Sequence, residues 1–261
     1  MQMDQKTVTK IQYLLMEQNM PPVCVIVGSG EGLGSALATK FAQEGFEIGL
    51  VSRSAKGSAK ALEAVAKTRA SSRVRYFAAD AYQPETIETA INLISDDLGD
   101  IDVLIYNVRD EFKRCEPLEM TYEALEKTFR LEVIGAFAAA KSVLPGMRER
   151  GHGTVFFSSA TAAFRGSNSY PLYAIGKFGL RALSQSLSKS YSRDGIHFVH
   201  VRLDCDLDVS IMKKLYGDAY DPENLANTSD VAQAYWLTYL QPQSAWSNEV
   251  ELRPHTETWT Y

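Results

Sequence analysis

Apolar and polar positions alternate along this chain in blocks of two different periods. Val23–Val27 is a short apolar run between Pro22 and Gly28, the pattern of a buried strand. Leu33 to Glu44 repeats its apolar residues at helical spacing and stops at Gly45. Phe46–Val51 is a second apolar run, a polar helix is predicted over residues 55–70, and Val74–Ala79 is a third strand. Pro84–Leu98 reads as a helix with proline at its first position, and Ile101–Tyr106 as strand four. One long helix is expected from Tyr122 to Arg148, then a strand over Thr154–Ser158 and a second long helix over Tyr170–Arg193. Ile196–Arg202 is strand six. Ser229–Leu240 is a late helix with Ser229 as its N-cap, and Glu249–Leu252 is the last short strand. Strands alternate with helices and hairpin signals are few. That order predicts an α/β chain whose seven-stranded, mostly parallel sheet is covered by helices on both faces. Residues 1–20 read as an extension and residues 21–261 as one domain, since no repeat or long linker interrupts them.

Composition excludes several classes. Hydrophobic residues make up 45% and charged residues 23%, so the chain can bury a core. A net charge of −5 leaves no basic surface for nucleic acid or an anionic membrane. The longest apolar run, Val133–Ala140, is stopped by Lys141 and falls far short of the ~18–20 residues of a membrane span. Asp4 and Glu17 flank the short apolar stretch Tyr13–Met16, which is not the pattern of a secretory signal. Cys24, Cys115 and Cys205 are far apart and odd in number, so a reducing, cytoplasmic setting is expected. His197 and His200 are three apart on a strand and face opposite ways, while His152 and His255 are isolated, so no zinc ligand set is visible and no metal is expected. No G-x-S-x-G elbow is present.

In a parallel sheet, ligands sit beyond the carboxyl ends of the strands, where the strand order reverses. The first such turn is Gly28-Ser29-Gly30-Glu31-Gly32-Leu33-Gly34. Glycines at 28, 32 and 34 permit a tight turn, close approach of a pyrophosphate, and close packing of helix on strand, with the helix N-terminus facing the anion. The same glycines would also suit an ordinary strand–helix turn. Their place after the first strand favours a nucleotide site. Strand two ends Val51-Ser52-Arg53-Ser54 without the acid that would bind the ribose diol of NAD. Arg53, with Lys56 nearby, matches the 2′-phosphate of NADP, so NADP(H) is favoured over NAD(H). Glu31 would oppose that phosphate if it pointed toward it.

Tyr173 and Lys177 lie four apart on the second long helix, hence on one face. An ammonium beside a phenol stabilises the phenolate. Such a tyrosine can give a proton to a carbonyl oxygen as hydride arrives at carbon, or do the reverse. Alone, the pair also fits an amphipathic helix with a surface lysine.

Together, the glycine turn, Asp80 after strand three, Asn107 after strand four and the Tyr173/Lys177 pair resemble the short-chain dehydrogenase/reductase family over residues 22–253. The C-terminal stretch Ser244–Pro254 is similar to a bacterial branch of mostly uncharacterised oxidoreductases. The resemblance implies a single Rossmann-type, three-layer domain and a small carbonyl or secondary-alcohol substrate. It makes Tyr173 the general acid/base, Lys177 the residue that holds the nicotinamide ribose and lowers the tyrosine pKa, and Asn107 a catalytic neighbour. The dinucleotide would meet Gly28, Ser29, Gly30, Gly32, Leu33 and Gly34, then Ser52 and Arg53, Asp80 and Ala81, Asn107 and Val108. A homodimer or homotetramer is implied, and Leu180, Leu183, Leu187 and Tyr191 could form either its interface or part of the subunit's own core.

The departures from the family are specific. Its N-N-A-G motif appears here as Tyr106-Asn107-Val108-Arg109, and Arg109 could meet an anionic substrate group or be solvated. The family's serine, thirteen residues before the tyrosine, falls on Ala160. A one-residue shift brings Ser159 into place, with Ser158 as second choice, to hydrogen-bond the substrate oxygen. The family's helix asparagine is matched by Glu132, a carboxylate that could accept protons from water, pair with Lys177, or mark lost activity. Leu203-Asp204 replaces a Pro-Gly, and Asp204, Asp206 and Asp208 read as a solvated acidic loop rather than a metal site. Met212, Leu215, Tyr216 and Tyr220 suggest either an apolar lid or a packed surface helix. The expectation is an NADP(H)-dependent oxidoreductase. The alternative is a non-catalytic dinucleotide-binding sensor or interaction protein.

Overall fold

A computed structural model describes residues 20–68, 70–109 and 112–257. The expected N-terminal extension lies outside the described residues, apart from Met20. Seven parallel strands form one sheet in the order β3-β2-β1-β4-β5-β6-β7. They are β1 (Val23–Val27), β2 (Glu47–Ser52), β3 (Val74–Ala78), β4 (Ile101–Tyr106), β5 (Gly153–Ala160), β6 (Ile196–Leu203) and β7 (Glu249–Leu252). The helices are α1 (Leu33–Gln43), α2 (Ala55–Ala66), α3 (Pro84–Leu98), α4 (Tyr122–Phe129), α5 (Gly135–Arg150), α6 (Pro171–Tyr191), α7 (Ser210–Tyr216) and α8 (Thr228–Tyr239).

Side-chain alternation along the strands builds two cores. Val23, Val25 and Val27 of β1 and Val155 and Phe157 of β5 pack with α3, α5 and α6 on one face. Cys24 and Ile26 of β1 and Phe156 of β5 pack with α1, α2 and α8 on the other. Both faces are covered, which is why these strands are apolar throughout instead of alternating. The order reverses at β1, whose neighbours are β2 and β4, so the ligand crevice opens beyond the carboxyl ends of β1 and β4.

Two expectations change and one open reading is decided. The long helix over residues 122–148 is interrupted by a π-helical turn at Arg130–Ile134, which separates α4 from α5. The late helix is capped by Asn227, whose side chain accepts from the backbone N–H of Ser229 and of Asp230, so Ser229 is inside the cap. Leu180 and Leu187 are buried in the subunit core, with Leu183 and Tyr191 packed against it, which decides for the core reading of that stripe. Cys24, Cys115 and Cys205 are unpaired. No helix among the described residues is long and apolar enough to cross a membrane.

Candidate active site

The glycine turn follows β1 and enters α1. Gly28 and Gly32 have φ of 91° and 94°, in the left-handed region that favours glycine. A Cβ on Gly28 would lie 2.6 Å from the Asn107 carbonyl oxygen, and one on Gly34 would lie 2.6 Å from the Gly28 carbonyl oxygen. The turn is therefore pressed both against the end of β4 and against its own helix. Asn107 closes that seam, its Nδ2 donating to the Gly28 carbonyl at 3.0 Å. Around Gly30 nothing comes within 4 Å of such a Cβ, so its freedom serves no packing need.

Ser29 turns inward. Its buried hydroxyl donates to the Val51 carbonyl at 3.2 Å and meets the Ser58 hydroxyl at 2.7 Å, and Ser58 in turn meets Ser52 at 2.8 Å. This hydroxyl chain ties the turn to β2 and α2. Ser58 was not singled out from the sequence, because a serine inside a polar helix carries no signal until its partner across the turn is known. Leu33 is buried at the start of α1. Arg53 is exposed just after β2. After β3, the Asp80 carboxylate accepts from the Tyr82 N–H at 3.2 Å, and Ala81 is buried.

On the far side of the crevice, α6 carries Tyr173 and Lys177. Lys177 is 2% exposed, and its Nζ donates to Glu132 Oε2 at 2.8 Å, with the Val108 and Ser158 carbonyls each at 3.4 Å. Nζ also lies 5.6 Å from the centre of the Tyr173 ring. Phe112 meets Tyr173 edge-on at 5.2 Å and stacks on Tyr170 at 4.0 Å, making an aromatic wall beside the phenol. Burial pushes the Tyr173 phenol above its ordinary pKa. Lys177 opposes that shift, Glu132 adds to it, Arg109 opposes it and Asp206 adds to it.

Strand alternation separates the two serines. Ser158 meets the Tyr235 hydroxyl of α8 at 2.9 Å. Ser159 shares the face of Val155 and Phe157, toward α6, and its buried hydroxyl has no hydrogen-bond partner among the described residues. Glu132 is fully buried in the π-turn. The Tyr106 phenol, standing where the family has an asparagine, donates to the Leu131 carbonyl at 2.5 Å. Gly176 leaves the room Glu132 needs, for a Cβ there would lie 2.9 Å from its Cγ.

The segment after β6 reaches the glycine turn. Ser210 at the start of α7 donates to Glu31 at 2.8 Å, and a Cβ on Gly32 would lie 2.7 Å from a Val209 methyl. Between them is a cavity of about 340 Å³ lined by Glu31, Gly32, Asp208, Ser210, Lys213 and Tyr220. The three acids of this segment have separate partners. Asp204 pairs with Arg253, Asp206 accepts from Tyr216 at 2.6 Å, and Asp208 accepts from Tyr220 at 2.5 Å. On α7, Leu215 is 73% exposed and Met212 only partly buried, so this short helix covers no core of its own.

His200 of β6 is fully buried near Phe164, and neither ring nitrogen has a hydrogen-bond partner among the described residues. Burial holds its pKa down to about 4; Glu249 opposes this, while Arg181, Lys177 and Arg202 reinforce it. The unfolded chain takes up this proton below pH ~6.5, whereas the folded chain stays neutral until about 4. Stability from this group is thus complete above pH ~6.5 and falls as pH drops toward 4, by up to about 3 kcal/mol. Thermal melts across pH 4–8 are expected to show a flatter acid limb for His200→Gln than for the natural chain.

The family model for short chain dehydrogenase matches residues 22–205. Levodione reductase of Leifsonia aquatica is 30% identical over 174 residues, which take in 67% of this chain and 65% of that protein, so the chain spans just under two thirds of that relative's length. A short-chain dehydrogenase of Rhodopseudomonas palustris superposes with a TM-score of 0.76 at 27% identity, covering 90% of this chain and 99% of that one. L-sorbose reductase of Gluconobacter frateurii, solved with NADPH and L-sorbose, has a TM-score of 0.78 at 21% identity, covering 90% and 96%, a likeness of fold.

Proposed function

The chain belongs to the short-chain dehydrogenase family, and on that premise we propose that it is an NADP(H)-dependent oxidoreductase acting on a small carbonyl or secondary alcohol. One observation carries the reading. Tyr173, with Lys177 one turn along α6, belongs to the helix that covers the sheet face toward which Ser159 points, and the buried Ser159 hydroxyl has no hydrogen-bond partner among the described residues. The residues present suit a dinucleotide: side chains at Gly28, Gly32 and Gly34 would fill the cradle, and Arg53 stands exposed at the end of β2. Bound NADPH would supply the hydride. Ser159 would hold the carbonyl oxygen, Tyr173 would give that oxygen its proton, and Lys177 would balance the phenolate left behind. Asn107 would keep the crevice closed beneath the nicotinamide end. The substrate would enter past Phe112 and Tyr170, with Arg109 at the rim near Tyr173.

A homodimer or homotetramer is supported by Phe129, Phe137 and Phe178, each 40–47% exposed on α4, α5 and α6. The rival reading, a binder without turnover, draws on the ion pair that already occupies Lys177.

Thermal unfolding with NADPH, NADH or neither tests the cofactor. Ligand at about 100 times its Kd adds roughly 2.7 kcal/mol of stability. NADPH is expected to stabilise more than NADH, and Arg53→Ala is expected to weaken NADPH binding about tenfold and leave NADH unchanged. Equal shifts, untouched by the substitution, would remove the NADP preference. No shift with either would overturn the reading. Binding without turnover on a carbonyl panel would favour the rival.

A further inference from the structure

The Lys177 ammonium has three N–H donors, and three oxygens already surround it. Glu132 Oε2 lies at 2.8 Å, and the Val108 and Ser158 carbonyls lie at 3.4 Å each. Glu132 is 0% exposed and Lys177 2%. A carboxylate taken this far from water costs several kcal/mol unless it is paired, and the surrounding fold is shaped to hold this one. The π-turn at Arg130–Ile134 carries Glu132 inward. Tyr106 satisfies the Leu131 carbonyl of that turn. Gly176 omits the Cβ that would strike Glu132 and Thr128. Three elements thus accommodate one side chain that neither binds the glycine turn nor reaches the crevice surface.

We propose that Glu132 is a positioning residue that fixes the Lys177 ammonium and cancels much of its field at Tyr173, so that the acid–base centre is a three-group unit, Glu132–Lys177–Tyr173. The inference rests on the reading of Tyr173 as the proton donor and adds what governs that donor. A lone ammonium acts on the phenol as a charge. An ammonium paired at 2.8 Å acts as a dipole, whose field falls off faster with distance. Lys177 therefore depresses the phenol less than an unpaired lysine would, and burial prevails. The phenol keeps its proton through neutral pH, the state that carbonyl reduction needs. Alcohol oxidation, which needs the phenolate, gains rate only on the alkaline side.

Other charges facing the unit come from separate elements. Arg109, after β4, and Asp206, after β6, act on the phenol in opposite directions. Tyr106 of β4 faces Glu132, and His200 of β6 feels Lys177. Changing Glu132 leaves Arg109, Asp206 and His200 in place; it also relieves Tyr106 of a neighbouring carboxylate, so the Tyr106 signal is followed beside that of Tyr173.

The test reads the phenol directly, without turnover. Tyrosine labelled at the ring carbon bearing oxygen is titrated by NMR, the Tyr173 signal being the one lost in Tyr173→Phe. Glu132→Gln leaves the ammonium unpaired and is expected to lower the Tyr173 midpoint by about one pH unit or more. Glu132→Asp keeps the charge and is expected to titrate near the natural chain. An unchanged midpoint in Glu132→Gln overturns the proposal. Should that variant fail to fold, the double variant Glu132→Gln/Lys177→Met removes both charges, a replacement buried pairs often tolerate. Its midpoint is expected within about half a unit of the natural chain, and a rise beyond one unit overturns the proposal. In variants that turn over, the pH profile of alcohol oxidation is expected to move with the NMR midpoint. Absence of turnover with the NMR shifts intact would sink the oxidoreductase reading and leave the charge unit standing.

Discussion

Tyr173→Phe is expected to lower kcat by about a thousandfold, within the usual range for a positioned proton donor, and to leave the stabilisation by NADPH unchanged. The loss corresponds to roughly 4 kcal/mol of barrier. The substitution removes a single oxygen. The ring stays, and with it the edge contact to Phe112 at 5.2 Å and the Lys177 ammonium 5.6 Å from the ring centre. Binding should therefore survive while proton transfer does not. Steady-state kinetics on a carbonyl substrate, set beside thermal unfolding with NADPH, separate the two. A variant that keeps its turnover would hand the proton to another group, with Tyr170, stacked on Phe112, the phenol to test next.

Gly28→Ala carries the largest expected cost in stability. At φ of 91° an alanine is strained by about 1–3 kcal/mol. Its Cβ would also sit 2.6 Å from the Asn107 carbonyl oxygen and 2.7 Å from the Asn107 carbonyl carbon. Those are backbone atoms at the end of a central strand and cannot rotate away. The turn and β4 must part, which breaks the hydrogen bond from Asn107 to Gly28. Together these effects are expected to cost about 3–5 kcal/mol, a fall of roughly 2–4 °C in Tm per kcal/mol for a chain of this size. Dinucleotide binding is expected to vanish with them. Gly30→Ala is the control: with open space around it and φ outside the left-handed region, it should fold nearly as well as the natural chain. Equal melting of the two variants would mean that the turn yields where its geometry says it is rigid.

Much of this was legible in the sequence because central parallel strands are apolar on both faces. Val23–Val27 and Ile101–Tyr106 stand out as runs, and Pro84–Leu98 announces its own ends. The π-turn did not stand out. It adds a residue to a helix without disturbing the apolar spacing on either side, and its determinants, Tyr106 and Gly176, lie on other elements. Asn227 and Ser229 are both good caps in sequence, and the distinction rests on where the backbone leaves its extended conformation. Ser158 and Ser159 are equivalent until the strand's register assigns one to each face, and Tyr235 then takes the hydroxyl of Ser158. The Glu132–Lys177 pair spans 45 residues; the family resemblance offers it as one of several roles for Glu132, and only the packing selects it.

The strand order bears on how the chain reaches its folded state. Proceeding outward from β1, the sheet grows by neighbours: β2 and β3 on one edge, then β4, β5, β6 and β7 on the other. Each strand after β1 pairs with its immediate predecessor, save β4, which must return to β1 across the whole of β2 and β3. That join closes the longest loop between neighbouring strands of the sheet, so distant ends must meet before its contacts reward them. The crevice between β1 and β4 thus lies on the seam that joins the most distant stretches of the sheet, and a dinucleotide lying across it would act as a clasp there.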